Sequence, residues 1–113
     1  MTIQFISLFP PVQVAATPQL LYTVPATPTA SILRNARVRF ANTTGGAVTI
    51  EAWSVPSGGS ATDVNCCLPE TSIAANSYLD VDIPVIASGG SIRAKAGSAS
   101  SITATNLDGF LQS

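Results

Sequence analysis

Apolar and polar residues alternate along most of the chain, which is the pattern of strands that bury one face and expose the other. Residues 36–40, Ala-Arg-Val-Arg-Phe, place apolar side chains at even positions and charged side chains at odd positions. Residues 48–53, Val-Thr-Ile-Glu-Ala-Trp, repeat the alternation. Helix-forming apolar spacings do not persist beyond a turn, and β-branched residues, Pro, Gly and Ser recur throughout. The pattern predicts an all-β protein.

The two alternating segments are predicted to form a first hairpin. A three-residue loop at 44–46 contains the two glycines that a tight turn requires. Because a one-residue slip would turn every side chain to the wrong face, the loop must hold an odd number of residues. This register pairs Phe40 with Ile50 on the inner face and Arg37 with Trp53 on the outer face.

A second hairpin is predicted around the turn at 87–90, Ala-Ser-Gly-Gly. A four-residue loop would oppose Val85 to Ile92 inside and Asp82 to Lys95 outside, which brings unlike charges together. Pro84 lacks an amide donor and indicates an edge position or a bulge.

Further strands are predicted at 20–24, 63–68, 71–74 and 101–106. Seven or eight short strands separated by turns favour a single antiparallel β-sandwich. Spacing leaves the strand order open between a jelly roll and another Greek key, and we favour the jelly roll. We assign residues 19–113 to this sandwich and residues 1–18 to an extended N-terminal arm.

The N-terminal arm is apolar and is interrupted by prolines at 10, 11 and 18, which suit extended chain. Phe5, Ile6, Leu8 and Phe9 would form a sticky patch if they were left in water. These side chains should therefore lie against a neighbouring subunit, as interface candidates, or against their own domain, where the arm would add an edge strand.

The composition favours assembly. The 113 residues fit one domain, and only 10% of them are charged, compared with about 25% in soluble domains. Weakly charged surfaces suit subunits that bury one another, so we expect a homo-oligomer, of which a trimer is one form. The net charge of −1 has no basic stripe for nucleic acid, and no apolar stretch is long enough for a membrane helix.

The residue types argue against catalysis. Histidine is absent, which removes the commonest general base and metal ligand. Asp80 and Asp82 lie two residues apart on one predicted strand, where Arg93 and Lys95 can balance their charges. Catalytic carboxylate pairs instead need burial or placement on opposite sides of the substrate. The adjacent Cys66 and Cys67 cannot link distant segments. We therefore predict no enzyme activity, no catalytic or metal site and no cofactor.

Arg37, Trp53 and Tyr78 on outer faces complete the set of interface candidates. Exposed aromatic residues are enriched at protein interfaces, and Trp53 could also pack on Arg37. The alternative is that Trp53 or Tyr78 stacks on a sugar ring in a carbohydrate- or host-surface-binding module.

Four short sequence segments, or phrases, resemble segments of small virion-associated proteins of tailed bacteriophages. They are Leu-Tyr-Thr-Val-Pro-Ala at 21–26, Asn-Thr-Thr at 42–44, Val-Pro-Ser-Gly-Gly-Ser-Ala at 55–61 and Ile-Arg-Ala-Lys-Ala at 92–96. The resemblance spans roughly residues 20–107, and none of its phrases is a catalytic signature. Thr-Pro-Thr at 27–29 replaces the glycine-containing turn that is usual in that family.

The resemblance implies a β-sandwich that is bound to the phage particle. Residues 1–9 lack the basic region and cleavage site of a signal peptide, so we expect synthesis in the host cytoplasm. A capsid cement or decoration protein that bridges major capsid subunits is the first expectation, and a tail- or fibre-associated subunit is the alternative. Cement proteins add many weak contacts across one shell, and the N-terminal arm would be a natural clasp.

Overall fold

The computed structural model describes residues 3–4, 7–27 and 30–113, and nearly all of their regular structure is β. A 3-10 helix at Asp63–Asn65 lies between the fifth and sixth strands. The strands are β1 (Ile3–Gln4), β2 (Val12–Gln13), β3 (Gln19–Thr23), β4 (Ile32–Asn42), β5 (Val48–Val55), β6 (Cys66–Ile73), β7 (Ser77–Asp82), β8 (Ser91–Ala96) and β9 (Ile102–Gln112).

The strands form two antiparallel sheets in a nested order. Sheet A runs β1-β9-β4-β7, with β2 also paired to β9, and sheet B runs β3-β8-β5-β6. The pairs β2 with β9, β3 with β8, β4 with β7 and β5 with β6 are those of a long hairpin rolled into two layers, which is the jelly roll. The predicted all-β sandwich and its jelly-roll order are confirmed.

The core lies between the sheets and follows the predicted alternation. Val38, Phe40, Ile50 and Ala52 have no exposed surface. On β8, the side chain of Ile92 is likewise fully buried. Burial of each large apolar side chain contributes about 1.5–3 kcal/mol, so these inner faces supply the main stabilising term.

Both predicted hairpins are wrong in their strand partners. β4 and β5 lie in different sheets, and so do β7 and β8. In this jelly roll, β4 and β5, and likewise β7 and β8, are joined by connections that cross from one layer to the other. A strand across the core demands the same apolar face as a strand in the same sheet. Alternation therefore fixes the inner face without identifying the hydrogen-bonded partner. Val85, which was assigned to the inner face, is 60% exposed beyond the end of β7.

The described part of the N-terminal segment adds edge strands to its own sheet. β1 and β2 both pair antiparallel with β9. The backbone N–H of Leu8 donates to Oδ1 of Asn106 at 2.9 Å, and Ala15 accepts from the backbone N–H of Ala96 in sheet B at 2.9 Å. The segment thus ties both sheets together along one side of the sandwich.

Asn42 joins the two sheets at the opposite side. It ends β4 and is 1% exposed. Its Nδ2 group donates to the carbonyl oxygens of Gly46, Ile73 and Ala74 at 2.8, 3.0 and 3.2 Å, and its Oδ1 accepts from the N–H of Thr44 at 3.0 Å. One amide therefore satisfies the turn after β4 and the end of β6 in sheet B.

Replacing Asn42 with alanine should lower the free energy of unfolding by about 1–3 kcal/mol, because a buried carbonyl loses its donor. Asn42→Asp should cost more, since a carboxylate would face three carbonyl oxygens. Chemical denaturation measures both changes. Asn65→Ala is the control, because its side chain makes exposed loop hydrogen bonds to Ser60 and Thr62. A stability for Asn42→Ala equal to that of the control would contradict this role.

Candidate functional site

The charged side chains of sheet A meet in a ladder on its outer face. Arg37 lies opposite Asp82 and Arg39 opposite Asp80, in the regular register of β4 and β7. Nε of Arg37 donates to Oδ1 of Asp82 at 3.1 Å. Arg39 binds Asp80 through two bonds, Nε to Oδ1 at 2.8 Å and a terminal nitrogen to Oδ2 at 3.0 Å. These four side chains are the ion-pair ladder.

Hydrogen bonding favours the charged forms of Arg37, Arg39 and Asp80. The bond to Asp82 raises the pKa of Arg37, and the bond to Asp80 raises that of Arg39. The hydrogen bond from Arg39 lowers the pKa of Asp80 below its ordinary value. Because these side chains are partly or largely exposed to solvent, their pairing adds little to stability and chiefly fixes the positions of the charges.

Two bulges in the central strands modify the outer face beside the ladder. In the first bulge, between Arg34 and Arg37, β4 has one residue more than β9. In the second, between Arg37 and Val38, the extra residue is Leu107 of β9. Asn35 adopts a left-handed backbone with φ of 53° at the first bulge. The two shifts cancel, but between them Asp108 replaces Leu107 as the residue opposite Arg37.

The side chain of Asn106 holds this irregular segment in place. Its Nδ2 group donates to the carbonyl oxygens of Asp108 at 2.8 Å and Arg37 at 3.3 Å. Gly109 has φ of 138°, and a Cβ there would lie 3.1 Å from Cα of Ala36. Only glycine therefore fits at this crossing without strain.

The bulges border a cleft of about 540 Å³ on the outer face of sheet A. It contains one guanidinium and two carboxylates, and the residues that come directly after β7 form an apolar wall. We call it the bulge cleft, and it is lined by Asn35, Ala36, Arg37, Asp82, Ile83, Pro84, Val85 and Asp108. Arg37 was predicted from the sequence as a surface candidate, but Asp108 was missed because nothing in the alternation signals two bulges that cancel.

Three of the other candidate residues are buried within their own chain. Leu8 and Phe9 are 8% and 7% exposed and belong to the core. Trp53, predicted on an outer face, is only 6% exposed, so its predicted exposure is wrong. It lies opposite Cys66, directly after the 3-10 helix that contacts β5, so the connection between β5 and β6 reaches this part of the outer face.

Phe5 and Ile6, the remaining arm candidates, lie outside the described residues. Their interface role stays a prediction.

Tyr78 is exposed, as predicted, with 58% of its surface accessible. The guanidinium carbon of Arg39 lies 4.1 Å from the centre of its ring, in a cation–π contact. The ring borders a depression of about 360 Å³ that Asn76, Ser77 and Thr43 also line. One ring face is thus occupied within the chain, beside polar groups.

The described residues do not bring together a set of metal ligands: no group of three or more His, Cys, Asp or Glu side chains is close enough to hold an ion. Cys67 packs against the core, and burial raises the pKa of its thiol. Sγ of Cys66 donates to the carbonyl oxygen of Leu68 at 3.1 Å. Among all the residues that the structure describes, no helix is long and apolar enough to cross a membrane.

Acid should weaken the contribution of Asp80 to stability. Because the fold lowers its pKa, Asp80 stabilises the protein above the ordinary aspartate pKa of 3.8, and this contribution is lost as the pH falls through the lower, folded value. Asp80→Asn should therefore lower the melting temperature at neutral pH, and its difference from the native chain should shrink below about pH 4.

Thermal unfolding from neutral to acidic pH measures this difference. Asp63→Asn removes a carboxylate outside the ladder and should retain the native pH dependence. An Asp80→Asn difference that stays constant into acid would contradict the ladder's contribution.

No family model matches the sequence, and no curated protein matches it. Among solved structures, the chain is similar to a chain in the structure of infectious bursal disease virus, Gx strain, with a TM-score of 0.57 and 10% identity. The match covers 97% of this chain and 32% of the viral chain, so this chain spans about a third of the length of that relative. The likeness concerns the fold, which this chain shares with a chain from a virus.

Proposed function

We propose that the chain is a structural protein of a virus particle and, more specifically, a cement or decoration protein that bridges neighbouring capsid subunits of a tailed phage. The observation that carries the proposal is a jelly roll whose likeness to a chain of a virus structure covers 97% of its length. The phage phrases of the sequence support the finer assignment. A tail- or fibre-associated position is the alternative within the same class.

The surface of the sandwich supports this role. Ile3 and Ile32 lie on either side of Gln112 in adjacent strands, and they are 43% and 41% exposed. Val64 in the 3-10 helix is 97% exposed, and Leu20 on β3 is 49% exposed. Apolar side chains thus reach the surface on both sheets and on a connecting loop, as suits a subunit that is buried by several neighbours.

The charges of sheet A also fit a non-catalytic role. Arg37 and Arg39 are each paired with an aspartate, so the ion-pair ladder carries no unopposed general acid or base. The chain would act by binding other virion proteins and copies of itself.

Purified virus particles should contain the chain in a copy number comparable to that of the major capsid protein, as quantitative mass spectrometry would measure. Particles that lack it should release their genome at lower temperature, and adding the pure protein should restore their resistance. A few copies per particle would place it in the tail instead. Its absence from washed particles would overturn the virion role.

A second candidate function is glycan binding at Tyr78, favoured by the exposed ring and its polar surroundings. If this is the function, the pure protein should bind a glycan on an array, and Tyr78→Ala should abolish that binding while Trp53→Phe retains it. Trp53 is the matched aromatic control because it is buried. Binding that survives Tyr78→Ala would contradict a site at this ring.

A further inference from the structure

We propose that the outer edge of β7, together with the bulge cleft at its end, docks an extended segment of another virion protein whose side chains alternate between basic and apolar. This names a partner surface for the proposed virion role and rests on that role for the partner's identity. The surface itself is defined by the backbone, the charges and the apolar contacts of this chain.

The other sheet edges in the described parts of the chain are poor templates for a further strand. β1 and β2 contain two residues each. β3 is irregular between Leu20 and Tyr22. β6 contains Pro69 and has two irregular steps against β5. Short strands, prolines and bulges are the devices that prevent edge pairing.

β7 lacks these devices. Its six residues, Ser77–Asp82, pair with β4 in unbroken register from Asn42 to Arg37 and include no proline or bulge. Within the described residues no strand pairs with its other side. A regular open edge leaves backbone donors and acceptors at strand spacing, and an extended peptide can continue the sheet there.

Negative charge dominates the outer side of this edge. Asp80 and Asp82 lie on β7, whereas their arginine partners lie one strand further inside the sheet, on β4. The side chain of Asp82 is 83% exposed, and the contact with Arg37 uses only its Oδ1. Asp108 adds a second carboxylate to the bulge cleft, where Arg37 is the only cation. A basic side chain on the incoming strand would therefore meet Oδ2 of Asp82, which the contact with Arg37 does not use, whereas both carboxylate oxygens of Asp80 already accept from Arg39.

The inner side of the same edge is apolar, and apolar side chains also line the bulge cleft at its end. Leu79 is partly buried at the rim of the core and Val81 is 7% exposed. Beyond β7, Pro84 and the 60% exposed Val85 form a wall of the bulge cleft. Because successive side chains of a strand point to opposite faces, a segment that alternates basic and apolar residues matches both sides of the edge.

A second copy of this chain does not supply such a strand. All five cationic side chains lie on β4 or β8: Arg34, Arg37, Arg39, Arg93 and Lys95. Both strands are paired on both sides within their sheets. Two β7 edges that met would oppose aspartates to aspartates, which is unfavourable. The occupant is therefore a different protein.

Two synthetic peptides test the surface directly: one alternates lysine with valine, and its partner has glutamate at each lysine position. Only the lysine peptide should bind the full chain in calorimetry, with affinity that falls as salt is added. Hydrogen exchange should show slower amide exchange in β7, and not in β3 or β6. Equal binding of both peptides, or protection at another edge, would overturn the proposal.

Charge substitutions test the role of the carboxylates. Asp82→Asn should weaken binding of the lysine peptide about tenfold, because a charge-assisted contact is lost. Asp82→Lys should reverse the preference toward the glutamate peptide. Asp63→Asn and Asp63→Lys, which make the same changes on the 3-10 helix, should leave the preference unchanged. Circular dichroism verifies that the variants fold, as we expect because Asp82 is exposed.

Particle binding separates this inference from the proposed function. If Asp82→Lys still assembles into particles as the native chain does, the docking surface is wrong while the virion role stands. If the native chain is absent from particles but binds the lysine peptide at β7, the surface stands and the virion role is wrong. Concentration-dependent dimers that protect β7 would identify a second copy as the occupant and overturn the inference.

Discussion

The pairing of β4 with β9 is the constraint on which the rest of the structure depends. These are the longest strands, with 11 residues each, and they form the centre of sheet A. β9 carries the N-terminal segment on its other side, and β4 carries β7. Their inner faces include Val38, Phe40 and Ile102, all without exposed surface. A loss of this pairing would release both flanks of the sheet and half of the core.

The same pairing also creates the irregularity that shapes the surface. Two shifts that cancel keep the core register on both sides of the bulges, so the apolar faces are undisturbed. Between the two bulges, Asp108 of β9 lies opposite Arg37 of β4, at the bulge cleft. Asn35 and Gly109 adopt the positive φ angles of this segment.

Side-chain alternation predicted the inner faces and the all-β sandwich, because burial of one face is a local property of each strand, but it left the jelly roll and another Greek-key order open. It did not predict strand partners: Phe40 and Ile50 share the core from opposite sheets, and either arrangement satisfies the same alternation. Trp53 is buried on the outer side of β5, which alternation alone assigns to solvent. The position of Asp108 depends on two bulges that leave no periodic signal.

The ladder illustrates how much of the surface chemistry followed from residue types. The sequence placed Arg37 and Arg39 on one face and Asp80 and Asp82 on another strand's outer face, but it assigned the aspartates to Lys95 and Arg93 instead. In the structure the arginines of β4 form ion pairs with the aspartates of β7, and Lys95 lies opposite Glu51. Charge balance was predictable, whereas the partners depended on topology.

Zero-length cross-linking of intact particles, with a reagent that joins carboxylates to amines, probes docking at β7. We expect a cross-link from Asp80 or Asp82 of this chain to a lysine in an extended segment of a different virion protein. Cross-links that map only to other faces of the chain, in particles shown to contain it, would contradict docking at β7.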